Sequence, residues 1–217
     1  MGREFLDIFT DWATDYDDFV TGEDEEYKEV FSGYDMILQE LVKRSGDSVL
    51  ELGIGTGNLT RKLMAVGKRV YPIEPSAEMR QLADAKLMGT VEIIDGDMQS
   101  FPLPPYNINT ILSSYVFHHL NADEKADVLH HYYDLLEEGG NVVFADTMFI
   151  DQDSYDQKIA EAAQNQFFDL EEDLNREYYP LIPDLYHYFK DAGFSVSFTQ
   201  MNPFVWIVEG KKERQIN

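Results

Sequence analysis

The stretch Val49-Leu-Glu-Leu-Gly-Ile-Gly-Thr-Gly-Asn-Leu-Thr60 leaves a chain few ways to fold. Its apolar run, interrupted only by Glu51, has the brevity of a buried strand, and glycines follow at 53, 55 and 57. From Asn58 the period changes: Leu59, Leu63 and Val66 recur at helical spacing, and Gly67 supplies a C-terminal stop signal. A strand that turns through glycines into a helix is the first half of a strand–helix–strand unit. It sets a tight backbone turn at the carboxyl end of a strand, where open α/β sheets bind ligands.

The same change of period recurs along the chain. Val70–Ile73 is another short run, and Ser76 can cap a helix carrying Met79, Leu82, Ala83 and Leu87 that ends before Gly89. The runs 91–94 and 108–113 follow. Asn121, with Glu124 three residues on, reads as a capping box and opens a helix reaching Glu138, before Gly139-Gly140. Val142–Ala145 is the fifth run. Short runs separated mostly by helices predict a parallel sheet covered on both faces. The end differs: a helix over 183–192 leads into two runs, 194–199 and 204–208, whose short link cannot hold a crossover helix, so this pair is expected as an antiparallel hairpin. The expectation is an α/β fold of seven strands, five parallel plus a C-terminal antiparallel hairpin, in one domain over 1–217. Residues 1–45 and 147–180 fall outside the alternation. The first carries Phe5, Phe9, Trp12, Tyr16 and Phe19 at helical spacing and the second is rich in aromatics, so both read as a helical cap over a core at 46–146, with 181–217 completing the sheet.

Charge narrows the partners. Against 41 acids stand 17 Lys plus Arg, a net −24. A field of that sign repels nucleic acid and anionic membranes, and the basic clusters are confined to Lys43-Arg44, Lys68-Arg69 and Lys211-Lys212. Neither a membrane-length run nor a signal-like start is present, so a cytoplasmic chain is expected. Cysteine is absent, which excludes disulfides, thiolate metal sites and a cysteine nucleophile. Oligomeric state leaves no mark in the sequence.

Three ligands compete for the glycine loop. A P-loop needs Gly-Lys-Ser/Thr, and no lysine is near. A dinucleotide fingerprint needs a third glycine where Asn58 stands. Glycines at 53, 55 and 57 after Glu51 instead match the form used for S-adenosylmethionine, a ligand without pyrophosphate. Here the loop must pass close to the methionine part and the ribose. Glu74, ending the second run, can accept from both ribose hydroxyls. Asp97, after the third run, is placed to accept from an adenine amino group, with Met98 packing on the ring.

Residues 49–60, 70–79, 92–102, 110–120 and 135–146 together resemble the successive motifs of class I S-adenosylmethionine-dependent methyltransferases. Nearly end to end, the chain is similar to the YrrT-like family of small methyltransferases from Bacillus-type bacteria. Shared stretches are Met-Gly-Arg-Glu-Phe at the start, Ser-Ser-Tyr-x-Phe-His-His-Leu at 113–120, Val-Val-Phe-Ala-Asp-Thr at 142–147 and Phe-Val-Trp-Ile near the C-terminus. The resemblance implies a Rossmann-like methyltransferase fold with Gly53, Glu74 and Asp97 as cofactor contacts. Glu51, Gly55, Thr56, Gly57, Asn58, Ser76, Met79, Met98 and Ser114 complete the expected cofactor set. Ile54 replaces a proline frequent in the family, and its side chain is expected to point off the loop.

Methyl transfer from a sulfonium is an in-line displacement in which the protein aligns the nucleophile and excludes water; a base is needed only for a protonated acceptor. The fourth run delivers Ser114 and Tyr115 toward the transferred methyl. His118 and His119 are candidate bases, against the alternative that one or both hydrogen-bond the backbone at the start of the next helix. Tyr16, in a stripe similar to a segment that folds over the cofactor in related methyltransferases, completes the candidate catalytic set of His118, His119, Tyr115 and Tyr16. No carboxylate visibly converges on the histidines, so no metal is expected. The expected function is metal-free methylation of a small-molecule acceptor, with S-adenosyl-L-homocysteine as product. A non-catalytic S-adenosylmethionine-binding protein and an NAD-dependent oxidoreductase are the rival readings.

Overall fold

The computed structural model describes Asp17, Val20 and residues 24–214. The stripe Phe5, Phe9, Trp12, Tyr16 and Phe19 lies outside these. Among the described residues the chain runs α1 (Tyr34–Arg44), β1 (Ser48–Leu52), α2 (Asn58–Ala65), β2 (Arg69–Ile73), α3 (Ala77–Leu87), β3 (Ile108–Ser114), a 3-10 turn (Phe117–His119), α4 (Ala122–Leu135), β4 (Leu136–Thr147), α5 (Gln152–Asn165), α6 (Phe168–Arg176), α7 (Ile182–Asp191), β5 (Ser195–Gln200) and β6 (Val205–Lys211). Six strands form one sheet in the order β2-β1-β3-β4-β6-β5, parallel through β4, with β6 antiparallel to both β4 and β5. The hairpin and the parallel core are thus as the periodicity predicts.

Strand alternation divides the apolar residues between two layers. Val49, Val143 and Ala145 face one side with Leu38 and Leu41 of α1 and Leu59 and Leu63 of α2. Leu50, Leu52, Val142 and Phe144 face the other with Leu129 and Tyr132 of α4 and Phe189 of α7. Both layers are needed because a parallel sheet has no face it can leave in water.

Two expectations are corrected. Residues 91–94 form no strand, so the sheet has six strands where seven are expected; only Ile94 bridges to Ile73. The Ile94 N–H reaches the Pro72 carbonyl at 2.9 Å and the Glu74 N–H reaches the Ile94 carbonyl at 3.0 Å. The next rung would need an N–H from residue 72, and proline has none, so the ladder stops after one residue. The helix expected to reach Glu138 ends at Leu135, and β4 starts at once. Lys212 Nζ donates to the carbonyls of Tyr133 and Leu136 at 2.7 and 2.9 Å, satisfying the helix end from outside.

The insertion leaves the carboxyl end of β4 and returns beside it: the Phe149 N–H donates to the Pro180 carbonyl at 3.1 Å and the Ile182 N–H to the Phe149 carbonyl at 2.8 Å. Its helices contribute Ala162, Leu170 and Leu174 to the core that also holds Tyr27, Val30 and Phe31. No helix among the described residues is long and apolar enough to cross a membrane.

Candidate functional site

The glycine loop sits where β1 ends. Gly53 has φ 68°, and a Cβ there would lie 2.7 Å from Val116 Cγ2, so position 53 needs both the left-handed backbone and the missing side chain. Gly57, at φ 84°, is the N-cap of α2. Beneath the loop Glu51 is buried, accepting from Thr60 Oγ1 at 2.8 Å, and burial lifts its carboxyl to about 8. Glu74, after β2, braces the loop: Oε2 accepts the Gly55 N–H at 2.8 Å and Oε1 the Ser76 N–H at 2.9 Å. Burial pushes this carboxyl up to about 7 although both hydrogen bonds favour its ionised form.

Over the loop lies a cleft with about 640 Å³ of empty space. Of the expected contacts, Gly53, Gly55, Thr56, Asn58, Glu74, Met79, Ser114, Tyr115 and His119 line it, joined by Tyr34, Leu59, Pro75 and Val116. Ile54 lines it too and is buried. Glu51, Gly57, Ser76, Asp97, Met98 and His118 do not line it. Ser76 is the N-cap of α3, accepting from the Met79 N–H. Met98 packs in the core with Leu52 and Ile73. Asp97 Oδ1 accepts the N–H groups of Gln99 and Ser100 at 3.0 and 2.9 Å, closing its own turn. Tyr16 is outside the described residues.

The end of β3 carries the aromatic wall. Tyr115 has φ 58°, a strained setting for a bulky residue, and its N–H donates to the Ala145 carbonyl at 2.8 Å. Its ring lies 5.0 Å from that of Phe31 and 5.8 Å from that of Tyr34.

Behind the cleft is a buried polar network that tertiary structure assembles. Asp146 Oδ1 lies 2.6 Å from His118 Nδ1, its Oδ2 accepts the His118 N–H at 3.0 Å, and His118 Nε2 lies 2.9 Å from Glu177 Oε2. Burial disfavours the imidazolium of His118, but the charges of Asp146 and Glu177 outweigh it and raise the pKa to about 10. Glu177 is held down to about 2, chiefly by His118, against its own burial. Burial, with His118 alongside, presses His119 down to about 3, so the histidine facing the cleft is neutral. Tyr179 Oη donates to Glu177 at 3.0 Å, its ring stacking on His118 at 5.0 Å. Buried Lys125 donates to the carbonyls of Leu120 and Tyr178, stapling the insertion to the 3-10 turn. The converging carboxylate absent from the sequence reading is therefore Glu177. Asp146 left a signal, an acid closing an apolar strand, whereas Glu177 follows an acidic helix and left none.

A second cluster ties the N-terminal region to the loop. Asp17 accepts from Thr56 Oγ1 at 2.7 Å, Asn58 Nδ2 at 3.0 Å and Lys86 Nζ at 2.6 Å. Partial burial raises its pKa less than these bonds lower it, so the carboxyl lies below its ordinary range.

Comparison with known proteins matches residues 49–140 to a methyltransferase domain family. The chain is 55% identical over 213 residues to an uncharacterized methyltransferase of Anoxybacillus flavithermus, covering 98% of this chain and 100% of that one. A counterpart from Geobacillus kaustophilus is 52% identical, over 98% and 99%. Among solved structures, the magnesium protoporphyrin IX methyltransferase of Synechocystis with bound SAH superposes with TM-score 0.73 at 17% identity, over 96% of this chain and 98% of that one. The DhpI–SAH complex does so at 0.68 and 20%, over 97% and 96%.

Proposed function

From the premise that the chain belongs to the methyltransferase family, we propose that it transfers the methyl group of S-adenosyl-L-methionine to a small-molecule acceptor by in-line displacement that itself requires no metal. The carrying observation is the buried Glu74 carboxylate, fixed by the Gly55 N–H and lining a cleft beyond the strand ends. The donor set fits the cofactor. A carboxylate has about four lone-pair positions, so two remain after the Gly55 and Ser76 bonds to accept ribose hydroxyls. No Lys or Arg lines the cleft among the described residues, as suits a ligand without phosphates.

When bound, the cofactor supplies the electrophilic methyl and its own leaving group. The protein's part is to bind, orient and keep water out. Gly53, Gly55, Thr56 and Asn58 bring backbone and short polar side chains against the ligand, and Met79 walls the side toward α3. Tyr34 and Tyr115 offer ring faces that attract a sulfonium. Ser114, Tyr115 and His119 form the acceptor side, with the neutral His119 imidazole there and the His118 ring beside it. In this reading residues 147–180 and the described residues ahead of α1 cap the site, whereas α1 itself packs on the sheet. An acceptor that is uncharged or cationic, with apolar parts, suits these walls; nucleic acid is disfavoured by the net charge of −24.

Calorimetry with S-adenosylhomocysteine tests the reading. Binding in the micromolar range is expected, sharply weakened by Glu74→Ala and unchanged by Glu138→Ala; absence of heat at high micromolar ligand overturns it. Binding without turnover across a broad acceptor panel would instead support a non-catalytic binder.

A further inference from the structure

His118 and His119 are neighbours in the 3-10 turn, whereas Glu177 reaches them from the far end of the insertion. His118 Nε2 lies 2.9 Å from Glu177 Oε2, and His119 Nδ1 lies 3.9 Å from Glu177 Oε1. One such atom from each residue lies within 4.8 Å of the others. A tetrahedral Zn²⁺ with bonds of about 2.0–2.2 Å holds its ligand atoms roughly 3.3–3.6 Å apart. The two histidine–carboxylate spacings, made by different oxygens of Glu177, fall on either side of that edge, and a set of one atom per residue spans no more than 4.8 Å. We propose that His118, His119 and Glu177 bind a divalent transition metal, Zn²⁺ for preference, at the wall of the cleft.

The surroundings favour a built site over a chance grouping. Asp146 meets His118 Nδ1 at 2.6 Å, so the other ring nitrogen is turned toward Glu177; a carboxylate behind a ligating imidazole is the usual support of a histidine–metal bond. Tyr179 Oη bonds Glu177 at 3.0 Å, fixing the third ligand. The side chains of all three candidate ligands are at most 10% exposed. Two imidazoles with one carboxylate select zinc-like ions over Ca²⁺ or Mg²⁺, and three protein ligands leave a fourth position for water or substrate. Binding displaces the proton shared by His118 Nε2 and Glu177 to solvent, and the ion then balances the two buried carboxylates. His119 lines the cleft, so an acceptor hydroxyl or thiol entering there would meet the metal and lose its proton more readily. That use rests on the proposed methyl transfer; the binding does not.

The test uses the full chain stripped by chelator, titrated with Zn²⁺ by calorimetry and with Co²⁺ by visible absorption. One equivalent is expected, with the intense bands of low-coordinate cobalt. Glu177→Gln and His119→Asn should each weaken binding at least tenfold, and Asp146→Asn by roughly 10–100-fold. His130→Gln with His131→Gln, on exposed α4 positions, should change nothing. Absence of the cobalt bands, or a stoichiometry and affinity untouched by Glu177→Gln, overturns the site. Should Glu177→Gln not fold, as read by circular dichroism, the His119→Asn spectrum decides. Heat with S-adenosylhomocysteine but none with zinc would remove the metal and leave the methyltransferase reading intact; the reverse would do the opposite.

Discussion

Glu74 and Gly55 meet at 2.8 Å, carboxylate oxygen to backbone N–H, and through that bond the end of β2 sets the shape of the loop after β1. The same carboxylate is buried deeply enough for its pKa to rise to about 7. A ligand that donates hydroxyls to it binds the ionised form. Affinity for S-adenosylhomocysteine should therefore increase as pH is raised through about 7, and at one unit below that pKa it should be roughly tenfold weaker. Calorimetry at pH 6 and 8 measures this. Glu74→Gln should be weak and flat across the range, while a wild-type profile without slope would rule the linkage out.

Gly53 has no room for a side chain. Alanine there would combine a left-handed backbone, costing about 1–2 kcal/mol, with a Cβ 2.7 Å from Val116 Cγ2. Thermal or urea unfolding of Gly53→Ala should show destabilisation of at least that size. Adding Val116→Ala should recover the steric part and leave the backbone part. If the double variant recovers nothing, the contact is not the cause.

Lys86 donates to Asp17, Thr56 and Asn58 together, tying the N-terminal region to the cofactor loop through a half-exposed carboxylate. Exposed charge pairs contribute little to stability but remain sensitive to salt. Lys86→Met should release S-adenosylhomocysteine several-fold faster in stopped-flow measurements, with little change in melting temperature. Wild-type release should quicken with ionic strength, and release from the variant should not.

Tyr27 Oη donates to Asp173, joining the chain ahead of α1 to helix α6 of the insertion. Burial and the nearby carboxylates drive its own pKa upward, so it stays a donor throughout the ordinary pH range. Tyr27→Phe keeps the ring but leaves a half-buried carboxylate with one donor fewer, a loss of about 1–3 kcal/mol. Hydrogen exchange should show α6 opening more readily in this variant than β1; equal protection in both proteins would contradict the tie.

What could be read in advance is what short range decides. The capping box at Asn121 and Glu124, the Ser76 cap and the hairpin of β5 and β6 each depend on residues close in sequence. The lost edge strand was legible in principle, since Pro72 removes a rung. For Asp97 the expectation rested on its place after a third run, whereas its side chain closes the local turn.

The sequence by itself determined the layered α/β sheet, the glycine loop and the carboxylate that follows the second strand, because period, caps and glycine conformations act over a few residues. Only the tertiary structure decided what surrounds the histidines. Asp146 comes from β4, Glu177 and Tyr179 from the insertion and Lys125 from α4. Their pairing shows no periodicity, and it arises only when packing removes these charges from water and obliges each to find a partner.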